Sequence, residues 1–208
     1  RSSPSLVRCT FVRNDGGVHT WASIPTFTNC TFVANSGHEV IYVDGGSNIT
    51  MQNTIVAFNV TDYEPLGRNT GVMALSCCDV FGNANGDWVG FVAGQLGQNG
   101  NISEDPLFCN PSQDLLGLDA ASPCAPFPPS NPGCDLVGAW PVSCSGPGAC
   151  CYEDGSCAVT SRFDCTGPWT SGASCDPNPC PEPIGACCLH PFCTPLTESE
   201  CQGFSGTY

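Results

Sequence analysis

Lysine is absent from this 208-residue chain, and five arginines are its only long cationic side chains against nineteen carboxylates, for a net charge of −14. Nucleic-acid binding requires cationic groups that neutralise phosphates, so that class of partner is excluded. Polyanionic substrates such as pectate are repelled by the same imbalance unless cations bridge them. No run approaches the roughly 18 apolar residues of a membrane-spanning helix. There is also no paired Cys-x-x-Cys block, the spacing that structural zinc sites favour. The opening Arg1-Ser2-Ser3-Pro4 carries neither an initiator Met nor a signal-like stretch, and the chain is expected to be a piece of a longer secreted polypeptide.

What is abundant is cysteine, glycine and proline, at 18, 24 and 19 residues. Cysteine at that density reads as a disulfide scaffold from an oxidising compartment, so an extracellular or cell-surface location is expected. Glycine and proline favour turns and short strands over helices.

A short phrase recurs through the first half. It reads Cys9-Thr10-Phe11-Val12-Arg13-Asn14 and Cys30-Thr31-Phe32-Val33-Ala34-Asn35, then more loosely Thr54-Ile55-Val56-Ala57-Phe58-Asn59 and Cys78-Asp79-Val80-Phe81-Gly82-Asn83. Its closing asparagines are spaced by 21, 24 and 24 residues, a period that marks a solenoid whose coils cannot bury their apolar faces alone. Alternation puts Cys9 and Phe11 on the inward face and Thr10 and Val12 on the other. Stacking then yields one column of Cys9, Cys30, Thr54 and Cys78, and another of Phe11, Phe32, Val56 and Val80. Asn14, Asn35, Asn59 and Asn83 are expected to form an amide ladder at a tight corner, where asparagine tolerates a left-handed backbone. Cys9 and Cys30, one coil apart, fit either a disulfide or two core thiols.

These coils resemble the parallel β-helix of pectate-lyase-like proteins, in the polymorphic bacterial surface-protein variety. The resemblance spans residues 1 to about 144 and includes Cys77-Cys78-Asp79-Val80-Phe81-Gly82-Asn83, Gly86-Asp87-Trp88, Asp105-Pro106-Leu107-Phe108-Cys109 and Cys134-Asp135-Leu136-Val137-Gly138-Ala139. It implies an all-β fold, a right-handed parallel β-helix followed by small disulfide-rich modules. Residues 1–104 are assigned to coils. Residues 105–146, rich in proline, are expected to cap the last coil and to be pinned by two disulfides among Cys109, Cys124, Cys134 and Cys144.

Beyond Ser145 the character changes. Gly148-Ala149-Cys150-Cys151 opens a unit that Gly185-Ala186-Cys187-Cys188 opens again 37 residues later. The first unit, 147–184, places cysteines at 150, 151, 157, 165, 175 and 180; the second, 185–208, has them at 187, 188, 193 and 201. They resemble tandem Cys-rich repeats of secreted bacterial proteins. Ser161 with Asp164, and Thr197 with Glu200, have the spacing of a capping box at a short helical turn. The second copy lacks counterparts of Cys175 and Cys180, so its cysteines are expected to pair differently or with another chain.

For chemistry, the lyases of this fold use clustered carboxylates with calcium and a cationic base. Arg1, Arg8, Arg13 and Arg68 are the solenoid arginines and read as solvated. Related hydrolases group aspartates with a histidine, but Asp79, Asp87, His19 and His38 fall at different coil positions, and His190 sits in a Cys-rich loop. No catalytic, cofactor or metal residue is assigned. The Asp15-Gly16-Gly17 and Asp44-Gly45-Gly46 loops carry one carboxylate each, short of a Ca²⁺ site. Of the sequons at Asn29, Asn48, Asn59 and Asn101, Asn48 and Asn101 are the better glycosylation acceptors. The leading expectation is an extracellular structural or surface protein that self-associates head to tail or with other surface proteins, as in a filament. A carbohydrate-binding or carbohydrate-cleaving protein, with Trp21, Tyr42 and Trp88 stacking on glycans, is the alternative, and an adhesin the third.

Overall fold

The structure is a computed structural model, and it describes residues 2–128, 131–144, 146–160, 164–189 and 192–203. Arg1, Ser161 and His190 lie outside the described residues. The chain forms two compact units, Arg1–Cys144 and Ser145–Tyr208.

The first unit is a parallel β-solenoid. Its first coil holds β1 (Ser5–Val7), β2 (Thr10–Val12) and β3 (Val18–Trp21); the second holds β4 (Thr26–Thr28), β5 (Thr31–Val33), β6 (Ser36–Gly37) and β7 (Ile41–Asp44). The third holds β8 (Ser47–Gln52), β9 (Ile55–Ala57), β10 (Val60–Thr61) and β11 (Leu66–Arg68), and the fourth β12 (Gly71–Ser76) and β13 (Asp79–Phe81). Like strands stack in parallel sheets, β1-β4-β8-β12, β2-β5-β9-β13 and β3-β7-β11. Registers match the repeat: Phe11 pairs with Phe32, Phe32 with Val56 and Val56 with Val80. Phe27, Phe32, Ile41, Met51, Val56, Val80 and their neighbours fill the interior, and the Phe11 and Phe32 rings stack at 4.4 Å.

Two left-handed residues per coil make the corners. Arg8, Asn29, Asn53 and Cys77 turn one, and Arg13, Ala34, Phe58 and Gly82 the other, with φ between 49° and 67°. Each non-glycine residue there costs about 1–2 kcal/mol, and the residues that follow offset it. After the first corner, Cys30, Thr54 and Cys78 donate a side-chain hydrogen back to the carbonyl two residues earlier, which is why threonine can replace cysteine in that column. Cys9 does the same, to Val7 O. Cys9 and Cys30 are therefore free thiols. After the second corner come the asparagines, so the left-handed residue precedes the ladder Asn and is not the Asn itself.

The end of the coil stack differs from expectation. The last coil is plugged by a 3₁₀ helix, Gly90–Gln95, with Trp88, Phe91 and Val92 facing the core and Gln95 bonding the backbone of Met73 and Leu75. Residues 105–144 instead run as a lateral strap along the outside of the β2-β5-β9-β13 sheet. The strap carries β14 (Phe108–Asn110), β15 (Leu115–Asp119) and β16 (Val142–Cys144). Its Leu118, Cys124, Cys134 and Val137 pack on Ile55 and Ala57, which point out of the solenoid into a second apolar core. Gly138 brings its backbone against the coils, donating to Asn53 O at 2.8 Å, beside Leu136 O, which accepts from Asn29 Nδ2 at 2.6 Å. A Cβ on Gly138 would stand 2.7 Å from Ile55 Cδ1. The strap ends beside the first coils, where Ala139 N donates to Thr31 Oγ1 and Trp140 Nε1 to Thr10 Oγ1. Arg13, read as solvated, is its anchor: Nε meets Asp114 Oδ1 at 2.9 Å and Nη2 donates to Pro111 O and Ser112 O.

The strap is held by two disulfides, Cys109–Cys144 and Cys77–Cys134. Cys124 is corrected to a free, buried thiol, and Cys77 takes the place expected for it, because Cys77 turns outward at a corner directly beneath the strap.

In the second unit, β17 (Gly148–Cys151) pairs antiparallel with both β18 (Cys157–Thr160) and β19 (Trp169–Ser171), under the disulfides Cys150–Cys165, Cys151–Cys180 and Cys157–Cys175. β20 (Ile184–Leu189) and β21 (Phe192–Thr197) form a hairpin followed by α1 (Glu198–Gly203), with Cys187–Cys201 and Cys188–Cys193. Thr197 N donates to Glu200 Oε2 and Glu200 N to Thr197 Oγ1, a reciprocal capping box.

Candidate functional site

The asparagine ladder is vectorial. Asn35 Oδ1 accepts from both N and Nδ2 of Asn14, Asn59 Oδ1 from those of Asn35, and Asn83 Oδ1 from those of Asn59. The Asp87 carboxylate closes the series by accepting from Asn83 N and Nδ2, so Asp87 is spent on the ladder. At the other end Asn14 is exposed at the rim of the first coil. The rim also presents the edges of β1, β2 and β3, which pair with no further strand among the described residues. A cleft of about 310 Å³ opens there into the core between Phe11, Val18, Phe32 and Val40.

A second candidate is the outer face of β3-β7-β11. Register sets His19 beside Tyr42, their rings edge to face at 5.2 Å, and Trp21 beside Asp44. A cleft of about 350 Å³ lies between His19, His38, Glu39 and Tyr42 above the Gly16-Gly17-Val18 turn. The two histidines that looked scattered in sequence thus share one cleft. His38 stacks on Tyr63 and lies 3.8 Å from Asp62. Partial burial, with Glu64 and Asp62 nearby, raises the Glu39 carboxyl above its ordinary value, and His38 and His19 oppose the rise. Trp21 is 68% exposed, whereas Trp88 is 8% exposed with Nε1 bonded to Ile102 O, so it offers no stacking face. Glu39, Tyr63 and Glu64 were missed in sequence. The 24-residue offset linking Gly37 to Thr61 carries His38 to Asp62 and Glu39 to Tyr63, and would have found two of the three.

Asp79 sits in neither cleft. It takes the register position of Thr31 and Ile55, under the strap. Glu104 N donates to Oδ1 and the Cys124 thiol to Oδ2 at 3.3 Å. Burial pushes its carboxyl up to about 7, opposed by those two bonds and reinforced by Glu104 and Asp87. The same burial raises the Cys124 thiol well above the ordinary range, and the Cys78 thiol to about 12, so neither is a thiolate nucleophile at neutral pH.

Asp44 accepts from Gly45 N, Asn69 and Thr70, which hold its carboxyl below the usual range, and it serves its turn. Among the described residues no three His, Cys, Asp or Glu side chains gather around a metal position. Arg68 lies over the Phe91 ring at 4.5 Å, and Arg8 turns a corner. Asn48 is exposed on β8. Asn101 is corrected as a glycosylation acceptor: it is 2% exposed, with Oδ1 accepting from Cys78 N and Nδ2 donating to Leu75 O. No described helix is long and apolar enough to cross a membrane. No protein-family model, curated protein or solved structure matches the chain, so the stacked solenoid and its two clefts carry the functional reading.

Proposed function

We propose that this chain is an extracellular structural protein, a disulfide-braced solenoid that self-associates head to tail through its first coil. The observation that carries this reading is the asymmetry of the coil stack. One end is plugged by Trp88, Phe91 and Val92, while the other presents three parallel strand edges, an apolar cleft and a ladder asparagine. An open strand edge templates pairing with another chain. The plug prevents coil-on-coil stacking between copies, so the partner surface on a second copy is its Cys-rich unit. There Ile184 and Phe192 expose large apolar side chains. A contact between two different surfaces of like chains does not close and propagates into fibres.

Proline at Val7 and His19 tests this. Both are exposed on edge strands, and their ladder neighbours bond the second coil, which aims their own N–H groups at the open rim. Proline is tolerated at such edge positions and removes the donor. Wild type is expected to show mass growing with concentration by light scattering and fibres by negative stain, and the V7P/H19P variant to remain monomeric and folded. Wild-type protein that stays monomeric at all concentrations would sink the proposal.

A second reading is favoured by the aromatic cleft. Trp21, His19 and Tyr42, flanked by carboxylates and imidazoles, form a stacking and hydrogen-bonding surface of the kind that binds saccharides. On a glycan array the wild type is expected to bind a saccharide class about tenfold better than W21A/Y42A, since the variant loses two stacking rings that each contribute about 0.5–1.5 kcal/mol. A blank array, with and without Ca²⁺, removes this reading.

A further inference from the structure

The outer faces of the three solenoid sheets differ in kind. The strap covers that of β2-β5-β9-β13, and aromatic and ionisable side chains stud that of β3-β7-β11. The face of β1-β4-β8-β12 is neither covered nor studded. Its outward residues stand in unbroken register from coil to coil. One column is Ser5, Thr26, Thr50 and Ala74, and the next is Val7, Thr28, Gln52 and Ser76. Asn48 and Val72 extend the face on the two longer strands. These residues include no ring and no charge, in a chain that carries nineteen carboxylates and five arginines.

Hydrogen bonding sets this face apart as well. The solenoid threonines that lie elsewhere, Thr10, Thr20, Thr31, Thr54, Thr61 and Thr70, all use Oγ1 in hydrogen bonds within the protein. The hydroxyls of Thr26, Thr28, Thr50, Ser5 and Ser76 bond to none of the described residues, and these side chains are exposed or half-buried. They are left for water.

Size and chemistry narrow what such a face can hold. Four coils with strands of this length present about 300 Å², well short of the roughly 800 Å² per partner in a stable protein contact. With no ring on the face, the stacking that holds saccharides is missing. What the face offers is a lattice. Its hydroxyls and methyls repeat at about 4.8 Å from coil to coil and about 6.6 Å along each strand, close to the oxygen spacings on a prism face of hexagonal ice. Threonine and valine are stiff at χ1, so these groups hold their places with little left to order on binding. A hydroxyl both donates and accepts, as a lattice water does.

We propose that the β1-β4-β8-β12 face binds ice, its threonine and serine hydroxyls taking the positions of lattice waters. Gln52 is the long side chain that interrupts the array.

The test uses the whole protein in ice-recrystallisation assays and nanolitre osmometry. Wild type is expected to shape ice crystals and to suppress recrystallisation. T26K/T50K removes two hydroxyl anchors and sets hydrated cations against the lattice, so its threshold concentration is expected to be at least about tenfold higher. Q52T, which completes its column with a small hydroxyl, is expected to lower the threshold. V60K, on exposed β10 away from the face, is expected to match wild type. Intact Cys77–Cys134 and Cys109–Cys144 disulfides and an unchanged far-UV spectrum report the fold of each variant. Wild type without effect on ice overturns the proposal, as does a T26K/T50K threshold equal to that of wild type or of V60K. A dimer that T26K/T50K abolishes, with no effect on ice, overturns it in favour of a second copy of the chain.

Discussion

Raising the pH from 5 to 8 is expected to lower the unfolding free energy of the solenoid unit by on the order of 3 kcal/mol through Asp79 alone, and Asp79→Asn is expected to remove that loss. The carboxyl titrates near 7 in the folded protein against an ordinary value of 3.8. A raised acid binds its proton more tightly in the folded state. Its contribution is therefore whole below about pH 4, declines at about 1.4 kcal/mol per pH unit between 4 and 7, and is flat above. The groups facing Asp79 are Glu104, Asp87 and the Cys124 thiol, and none of them is a cation that would favour the carboxylate. Asparagine keeps an acceptor for Glu104 N and carries no charge, so D79N should match wild type near pH 5 and exceed it at pH 8. Urea titrations at the two pH values decide the matter, and equal pH slopes for the two proteins would refute the assignment.

The second large effect belongs to Asn59, which is fully buried at the middle of the amide ladder. Its Oδ1 accepts from Asn35 N and Nδ2, and its own Nδ2 donates to Asn83 Oδ1 and Phe32 O. Asn59→Ala strands two donors on Asn35 and the Phe32 carbonyl on the preceding coil at once, and leaves Asn83 Oδ1 on the next coil with only the residue 59 N–H. Each buried unpaired group costs about 1–3 kcal/mol, so a total loss of about 3–5 kcal/mol is expected. Asn14→Ala removes only the terminal, exposed link and is expected to cost about 1 kcal/mol or less. Parallel denaturant curves yielding similar losses for the two variants would show that the ladder does not act as a buried network.

The contrast between those residues shows what the chain discloses before it is folded. The period, the inward Cys and Phe columns and the ladder asparagines were legible because stacking repeats them in every coil. The left-handed corners were legible only as places, since Arg13, Ala34 and Phe58 share a backbone conformation and no side-chain chemistry. The strap was not legible as a strap. Its contacts with Thr10, Thr31 and Asn53 depend on pairings a hundred residues away, and a proline-rich stretch carries no period to locate them. Ile55 and Ala57 were the available clue, being apolar on the face that alternation assigns to solvent. The burial of Asp79 was not legible for the same reason, since nothing in the repeat shows that its face is covered. The shared cleft of His19 and His38 was hidden by the shorter first interval, which obscures the column outside the phrase.

The strap also bears on how many coils the rod can have. An array of stacked repeats ordinarily gains or loses a unit at modest cost, because each coil answers only to its neighbours. Here Trp140 bonds Thr10 across 130 residues and Arg13 reaches Asp114, while Cys77–Cys134 fixes the strap near the far end of the stack. An inserted coil would separate these anchor points by about 4.8 Å, and the strap would come up short at one of them. It therefore works as a ruler. Duplication of a coil, the common route by which solenoids lengthen, is coupled in this protein to lengthening of a segment that lies outside the repeat.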